Sequence, residues 1–104
     1  MSSTAVAEVA PQHLQALEAA NRVRLARASL KRRVASQELS AAEVIAEFSS
    51  DVGGMAVGDL LLSQRRWGRA RCQRVLLALG LSEHKEIGRL TERQRRALLA
   101  LLDG

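Results

Sequence analysis

The stretch Arg65–Arg71, which reads RRWGRAR, lies between two apolar segments, and Arg74 follows it one helical turn later. No acidic residue occurs between Gln64 and Ala78, so five arginines gather within ten residues without a neighbouring countercharge. A helix that begins just after Gly68 would direct its free backbone N–H groups and the positive end of its dipole into this cluster. The stretch therefore predicts an anion site, and a polyanion with closely spaced charges suits it better than a small metabolite does.

The segments on both sides of this turn are predicted to be helices. The apolar run Val57–Ser63 precedes it. Arg69–Leu79 follows it and stops before Gly80, a residue suited to the left-handed conformation that closes a helix. Farther along, Leu81–Leu90 reads as irregular chain, and Thr91–Gln94 has the pattern of a capping box that begins the last helix.

The N-terminal half predicts one long helix. From Gln12 to Ser36 the sequence holds no Gly and no Pro, and Pro11 suits the first helical position. We therefore assign a long basic helix to residues 11–38, preceded by a flexible tail over residues 1–10. Small and apolar residues recur along this helix at spacings of three and four, which places them on one packing stripe. The stripe consists of Ala16, Ala19, Val23, Ala26, Leu30 and Val34.

A shorter helix and a connector come next. Ser40-Ala-Ala-Glu43 matches a capping box and predicts a helix that runs to about Phe48. Ser49–Gly54 is rich in Ser and Gly and reads as a connector. The core residues expected after the long helix are Val44, Ile45, Phe48, Leu60, Leu61, Leu62, Val75, Leu76, Leu79, Leu98, Leu99, Leu101 and Leu102.

Together these segments predict an all-α fold. Period-two alternation of apolar residues is never sustained, so no strand is required. A chain of 104 residues suits one domain. We expect a long N-terminal helix plus a small helical bundle over residues 39–104 that folds with it as a single domain.

The charge balance favours an anionic partner. The chain carries a formal net charge of +5, and 14 of its 16 cationic side chains are arginines. Residues 1–50 hold six basic and five acidic side chains, whereas residues 51–104 hold ten and six, so the cationic excess is C-terminal. Arginine suits bidentate contact with phosphate and stacking. A GC-rich genome also raises the Arg and Ala content, which is a second explanation of the arginine share.

Several classes of protein are disfavoured by the sequence. Cys72 is the single cysteine, so no internal disulfide forms, and we expect it to pack in the core of a cytoplasmic protein. We find no secretory signal and no membrane span. His13 and His84 lack partners at metal-ligand spacing, and no nucleophile is paired with an oriented base. We therefore expect no metal, no cofactor, no small-molecule substrate and no enzymatic activity.

Several short motifs of this chain occur together in one known family. They are Met55-Ala-Val57, Leu60-Leu61, the basic turn around Gly68, and Gln73. The run LxxRQRxALL over residues 90–99 and the long Ala/Arg helix followed by a capped helix belong to the same set. In these features the chain resembles the actinobacterial, mycobacterial-type integration host factors from about Leu14 to its end. The resemblance implies a helix-two-turns-helix unit over about 55–104, and a nucleoid-associated protein that binds duplex DNA. The resemblance further implies support of phage site-specific integration alongside an integrase.

The resemblance also assigns the two turns of this unit. Arg65–Gly68 is the first turn, and with Arg69 and Arg71 it matches the family pattern Pro-x-x-Gly-Lys-x-Lys. Arg65 replaces the proline, and Trp67 replaces an aliphatic residue. In the second turn, where the family is densely basic, this chain has the sequence Lys85-Glu-Ile-Gly-Arg89. We infer that phosphate binding has shifted toward the first turn.

The residues assigned to nucleic-acid binding fall into two groups, which together would bend or bridge duplex DNA with little sequence preference. Trp67 has two interpretations: it fills the core beneath the turn, or it contacts a base or a base step. The arginines also fit a solvated face. The predicted DNA-binding residues are Arg65, Arg66, Trp67, Gly68, Arg69, Arg71, Arg74, Lys85, Arg89, Arg93 and Arg96, and a second DNA surface comprises Arg24, Arg27 and Lys31.

Two other functional classes remain open from sequence. The first is an RNA-binding or ribosome-associated helical protein, because the resemblance also relates this helical unit in shape to a ribosomal small-subunit protein. The second is a basic adaptor that meets an acidic protein partner.

Overall fold

The structure is a computed structural model that describes the backbone of residues 2–103 and the side chains of residues 11–102. The fold is all-α over these residues, as the sequence predicts, with six α-helices and one 3-10 helix. The α-helices are α1 (Ser2–Ala35), α2 (Ala41–Ala46), α3 (Ser50–Gly53), α4 (Val57–Ser63), α5 (Arg69–Leu79) and α6 (Glu92–Asp103), and the 3-10 helix is Ile87–Arg89.

Helix α1 is long and packs by only part of its length. It has 34 residues, equivalent to about 51 Å. On its predicted stripe Val34 is buried and Val23 and Leu30 are half-buried, whereas Ala16 is exposed. Ala16 lies outside the packed region because only the C-terminal part of α1 contacts the bundle, through α3 and α4.

Both ends of α1 differ from the prediction. The helix begins at Ser2, where we expected a tail over residues 1–10, and Pro11 lies inside it. A proline removes one helical hydrogen bond, and the Ala-rich sequence around it favours helix on both sides. The helix ends at Ala35, before residue 38, because Gln37 takes a left-handed φ of 67° and the Glu38 N–H donates to the Arg33 carbonyl at 3.0 Å.

The short helices α2 and α3 turn the chain back toward α1. The predicted capping box at α2 is formed: the Glu43 N–H donates to Ser40 Oγ at 3.0 Å, and the Ser40 N–H donates to Glu43 Oε2 at 3.1 Å. Ser50–Gly53 is a helix rather than a plain connector, so that prediction is wrong. A single turn of four residues is too short to show periodicity in the sequence.

The predicted helix-two-turns-helix arrangement comprises α4, α5, the 3-10 helix and α6. Helices α4 and α5 have the predicted bounds, and Gly80 closes α5 with a φ of 66°. The predicted box at α6 is present, with Thr91 Oγ1 accepting from the Gln94 N–H at 3.1 Å and Gln94 Oε1 accepting from the Thr91 N–H at 3.0 Å.

Main-chain hydrogen bonds fix the second turn against the start of α4. The Val57 N–H donates to the Lys85 carbonyl at 2.7 Å, and the Ile87 N–H donates to the Met55 carbonyl at 2.9 Å. Gly58 approaches so closely that a Cβ there would lie 2.8 Å from the Glu83 carbonyl oxygen. The second turn is therefore held rigidly relative to α4, and only glycine fits at this contact.

The core lies where α2, α4, α5 and α6 meet. Ile45, Leu60, Leu61 and Leu98 are fully buried, as predicted. Half-buried positions at the edge of the core are also as predicted, and they are Phe48, Val75, Leu79, Leu99 and Leu102.

Two predicted core leucines are instead exposed. Leu62 is 40% exposed and Leu101 is 46% exposed. Successive residues of an α-helix are rotated by about 100°. Leu62 lies about 200° around the helix from the fully buried Leu60. On α6, the half-buried Leu99 and Leu102 lie about 100° and 40° to one side of Leu98, whereas Leu101 lies about 60° to the other side.

Candidate nucleic-acid interface

The first turn is a tight backbone reversal that leaves its arginines in solvent. The Trp67 N–H donates to the Gln64 carbonyl at 3.2 Å, which closes a four-residue turn. Arg66, the third residue of this turn, has a φ of 70°. Positive φ at the third position is characteristic of a type II turn, whose second position suits proline. Arg65 occupies that second position, so the turn retains its geometry without the proline.

The amino end of α5 is open for an anion. Gly68 is the N-cap and provides no side chain to accept from the first N–H groups, and no acid lies in the first turn. A Cβ at Gly68 would meet nothing within 4 Å, so the space above this end is free within the described structure. The Cys72 N–H donates to the Gly68 carbonyl at 3.1 Å as the first helical bond. The preceding N–H groups, from Arg69 to Arg71, are therefore available to an oxyanion.

The five arginines of the first turn and α5 have no internal countercharge. All five are exposed. The ion pairs among the described side chains join other residues, so this positive charge is uncompensated within residues 11–102. We call this set the first-turn cluster: Arg65, Arg66, Arg69, Arg71 and Arg74.

Trp67 joins the cluster to the core. The residue is half-buried and packs against the hydrophobic core, and the Arg71 guanidinium carbon lies 4.1 Å from its ring centroid. This geometry is a cation–π contact that fixes one arginine of the cluster. Trp67 thus packs against the core while keeping some of its surface accessible, so both sequence interpretations stay predictions.

Cys72 lies on the buried side of the same helix. Its side chain is part of the core, and burial raises the pKa of the thiol, with Arg71 acting weakly in the opposite direction. A buried, protonated thiol is a packing group rather than a nucleophile.

The second turn offers less free positive charge. Arg89 Nε lies 3.3 Å from Glu86 Oε2, and Glu83 is paired with His84 at 3.3 Å. Lys85 is half-buried. The structure thus brings an acidic side chain into contact with Arg89, one of the two cations that the sequence assigns to this turn.

Helix α6 presents two of the predicted cations to solvent. Arg93 and Arg96 are both exposed. Arg96 Nε lies 3.3 Å from Glu92 Oε1, four residues earlier on the helix. An exposed pair of this kind contributes only a few tenths of a kcal/mol, so a phosphate displaces it at little cost.

The predicted second surface forms a groove along α1. Arg24, Arg27 and Lys31 line a volume of about 440 Å³ together with Ala20, Val23 and Ala28. Arg24 and Lys31 are exposed. Arg27 is half-buried, and its Nε donates to the Asp51 carbonyl at 3.0 Å, so it also holds α1 against α3.

The comparisons with known proteins agree with the fold. No family model matches the chain. Integration host factor of Mycolicibacterium smegmatis is 32% identical over 94 residues, which span 88% of this chain and 90% of that protein. Integration host factor of Mycobacterium tuberculosis is 33% identical over 90 residues, which span 85% and 86%. This chain belongs to the mycobacterial integration host factor family.

A solved structure within the integration host factor family has the same fold. The structure of sIHF bound to an 8-bp palindromic DNA matches with a TM-score of 0.75 and 30% sequence identity, and it covers 82% of this chain and 98% of its own. The resemblance stated from the sequence is therefore confirmed, and so is the all-α fold class.

Some contacts in this integration host factor family member were not foreseen from sequence. Arg22 Nε lies 3.3 Å from Asp51 Oδ2, which adds a second tie between α1 and α3. A Cβ on Gly54 would lie 2.6 Å from an Arg27 terminal nitrogen. These partners are more than twenty residues apart in sequence, so no local pattern signals them.

Neither a membrane nor a metal site is indicated for this integration host factor family member by the described residues. Over that part of the chain, no helix combines the length and the apolar character needed to cross a bilayer. Among the same residues, no three His, Cys, Asp or Glu side chains are grouped so as to hold a metal ion.

Proposed function

We propose that this protein is a nucleoid-associated, non-enzymatic protein that binds duplex DNA with little sequence preference and bends or bridges it. The first-turn cluster and the open end of α5 bind one phosphate run, assisted by Arg93 and Arg96 on α6. The α1 groove binds a second run or a second duplex through Arg24 and Lys31. Phosphate contacts position a protein on DNA without reading its sequence, which accounts for the low preference.

One observation carries this proposal: five exposed arginines surround an uncapped helix end, and no described acid pairs with them. An unbalanced concentration of charge on one turn is costly unless a polyanion meets it. Duplex DNA supplies phosphates at the matching density, one charge per about 1.7 Å of helix axis. Relatives of this family are named integration host factors, and a family structure contains DNA, which supports the same ligand here.

The proposal has a direct thermodynamic test. Contact with six phosphates releases condensed counterions, so log K against log salt concentration is expected to fall with a slope of roughly −5, at about −0.9 per contact. Fluorescence anisotropy with a labelled random duplex across a salt series measures this slope. A slope near zero excludes the phosphate clamp.

A charge-reversal variant locates the site. Arg69→Glu/Arg71→Glu should weaken duplex binding by roughly tenfold or more, because it removes two phosphate contacts and adds repulsion. Arg32→Glu/Arg33→Glu makes the same charge change on exposed residues of α1 outside the groove, and it controls for the loss of net charge. Circular dichroism should remain helical for both. If the two variants weaken binding equally, the site has been misplaced.

Two further aspects belong to this proposal. The protein acts at the nucleoid, and it supports phage site-specific integration by shaping the DNA on which an integrase assembles. A competition between duplex DNA and structured RNA separates this function from ribosome association: preference for RNA contradicts it. Recombination assayed with the integrase, with and without this protein, tests the integrative role.

A further inference from the structure

A cleft of about 280 Å³ opens beside the first turn, and the function proposed above does not use it. It lies between the carboxyl end of α1, the start of α2 and the turn itself. Buried Val34 and Ala41 form its floor, and half-buried Leu39 and Trp67 form its walls. The rim is polar and consists of Gln37, Ser40, Gln64 and Arg65.

The rim retains hydrogen-bonding capacity. Gln64 Nε2 donates to the Leu61 carbonyl at 3.1 Å, and its Oε1 has no donor among the described residues. Ser40 Oγ accepts from the Glu43 N–H, which leaves the hydroxyl proton for another acceptor. The exposed Gln37 amide also bonds to no described group. The rim therefore offers both donors and acceptors around an apolar interior, as sites that orient a planar polar ring do.

Arg65 belongs both to this cleft and to the first-turn cluster. A nucleic-acid backbone seated on the cluster therefore runs past the opening of the cleft. Glu38 lies 3.5 Å from Arg33 Nε, so its charge is compensated. Glu43 accepts from the neutral Ser40 N–H and keeps its negative charge, so an anionic chain approaches the cleft from the side of Arg65.

We propose that the cleft accepts one unstacked nucleobase from DNA whose phosphates lie on the first-turn cluster. This inference rests on the proposed function. The volume suits one base, being slightly below the usual range for small-molecule pockets. Trp67 supplies an aromatic surface on which a base of any identity stacks, and the amides and hydroxyl contact the base edge. The ligand class is therefore DNA with an unpaired base, such as a bulge.

Trp67 distinguishes this chain from the pattern to which it is similar. The resemblance places an aliphatic residue at this position, which packs beneath the turn but offers no ring for stacking. Trp67→Leu therefore restores a side chain that suits the turn while removing the aromatic wall. It keeps all five arginines of the cluster, and Arg71 loses its cation–π contact with the ring.

The test uses three duplexes of one sequence: fully paired, with one bulged thymine, and with an abasic bulge. The abasic bulge has the flexibility of the bulge without the base. Binding to the bulged thymine is expected to be about fivefold or more tighter than to the abasic bulge. Because Trp67 is the one tryptophan and the chain has no tyrosine, its fluorescence reports on the cleft, and it should be quenched more by the bulged thymine.

Two variants separate the cleft from the phosphate site. Trp67→Leu should abolish the difference between the two bulges, because leucine offers no ring on which the base can stack. Leu77→Ala, at a side chain 81% exposed on α5 and outside the cleft, should keep the preference.

Equal binding of all three duplexes by the natural protein overturns the cleft inference alone. Failure to bind any of them overturns the proposed function as well. A uniform loss across the duplexes in Trp67→Leu also overturns the inference, since the tryptophan would then act through the fold of the turn.

Discussion

At the residue scale, Arg66 combines backbone strain with a proposed contact to phosphate. Its φ of 70° is a conformation that glycine adopts freely and a long side chain adopts at a cost of about 1–2 kcal/mol. The turn requires this conformation, because the Trp67 N–H reaches the Gln64 carbonyl only when the chain reverses at this residue. An arginine here therefore sacrifices some stability and adds a cation at the tip of the turn.

Arg66→Gly is expected to raise the free energy of unfolding by about 0.5–1 kcal/mol and to weaken DNA binding. The strain is removed, and the greater entropy of glycine in the unfolded chain offsets part of the gain. The salt slope should become less steep by about 0.9, the contribution of one phosphate contact. Urea unfolding measures the first effect and anisotropy the second.

Gln37→Gly is the matched control for this substitution, because Gln37 has a φ of 67° and carries no charge. It should stabilise the fold similarly and leave the salt slope unchanged. A loss of stability in Arg66→Gly would contradict this account, since it would mean that contacts of the arginine side chain outweigh its backbone strain.

At the scale of elements, sequence predicted the features that depend on neighbouring residues and missed those that depend on contacts between distant residues. The bounds of α5 were predictable because Gly68 and Gly80 mark its two ends, and those of α4 because its apolar run begins at Val57 and stops before the arginines. The start of α1 was not predictable in this way, because it depends on whether the helix propensity of the residues around Pro11 exceeds the cost of the proline. The first-turn cluster was visible in sequence because its arginines lie within ten residues of one another. The cleft was not, since it joins Val34 to Trp67 across 33 positions of chain.

Thr91→Ala should lower the free energy of unfolding by about 1 kcal/mol. The Thr91 hydroxyl oxygen accepts from the Gln94 N–H at 3.1 Å, and alanine leaves this donor without its cap. Thr91→Ser keeps the hydroxyl and should retain most of the stability. Denaturant unfolding of the three proteins decides the point: equal midpoints would show that the cap contributes nothing to α6.

At the scale of the whole molecule, the protein is elongated and carries positive charge in two places. Its extents are 64 × 27 × 23 Å, because α1 extends well beyond the bundle. The α1 groove and the first-turn cluster belong to different elements. Val34 lines the cleft, and Lys31 of the α1 groove precedes it by three residues. The groove and the cleft are therefore separated by about 5 Å along the axis of α1. One small protein therefore carries two positive surfaces, and the proposed function assigns duplex DNA to both.

Arg24→Glu/Lys31→Glu should reduce the capture of a second duplex severalfold and change affinity for a first duplex by less than about threefold. The first-turn cluster is untouched, so single-duplex binding persists, whereas the groove becomes repulsive toward phosphate. A bridging assay measures this with one duplex on beads and a labelled duplex in solution. Arg32→Glu/Arg33→Glu is again the matched control. Unchanged bridging in the groove variant would assign the second contact to another surface.

The first-turn cluster also has a consequence for the protein when no DNA is bound. Since no described acid neutralises these arginines, electroneutrality there is supplied by the small anions of the solution. Association with DNA then displaces anions from the protein as well as cations from the duplex. DNA affinity therefore depends on which anion is present. A weakly held carboxylate such as glutamate competes less with DNA for the cluster than phosphate does at the same ionic strength. The anions bound at the first-turn cluster therefore change with the anion composition of the solution.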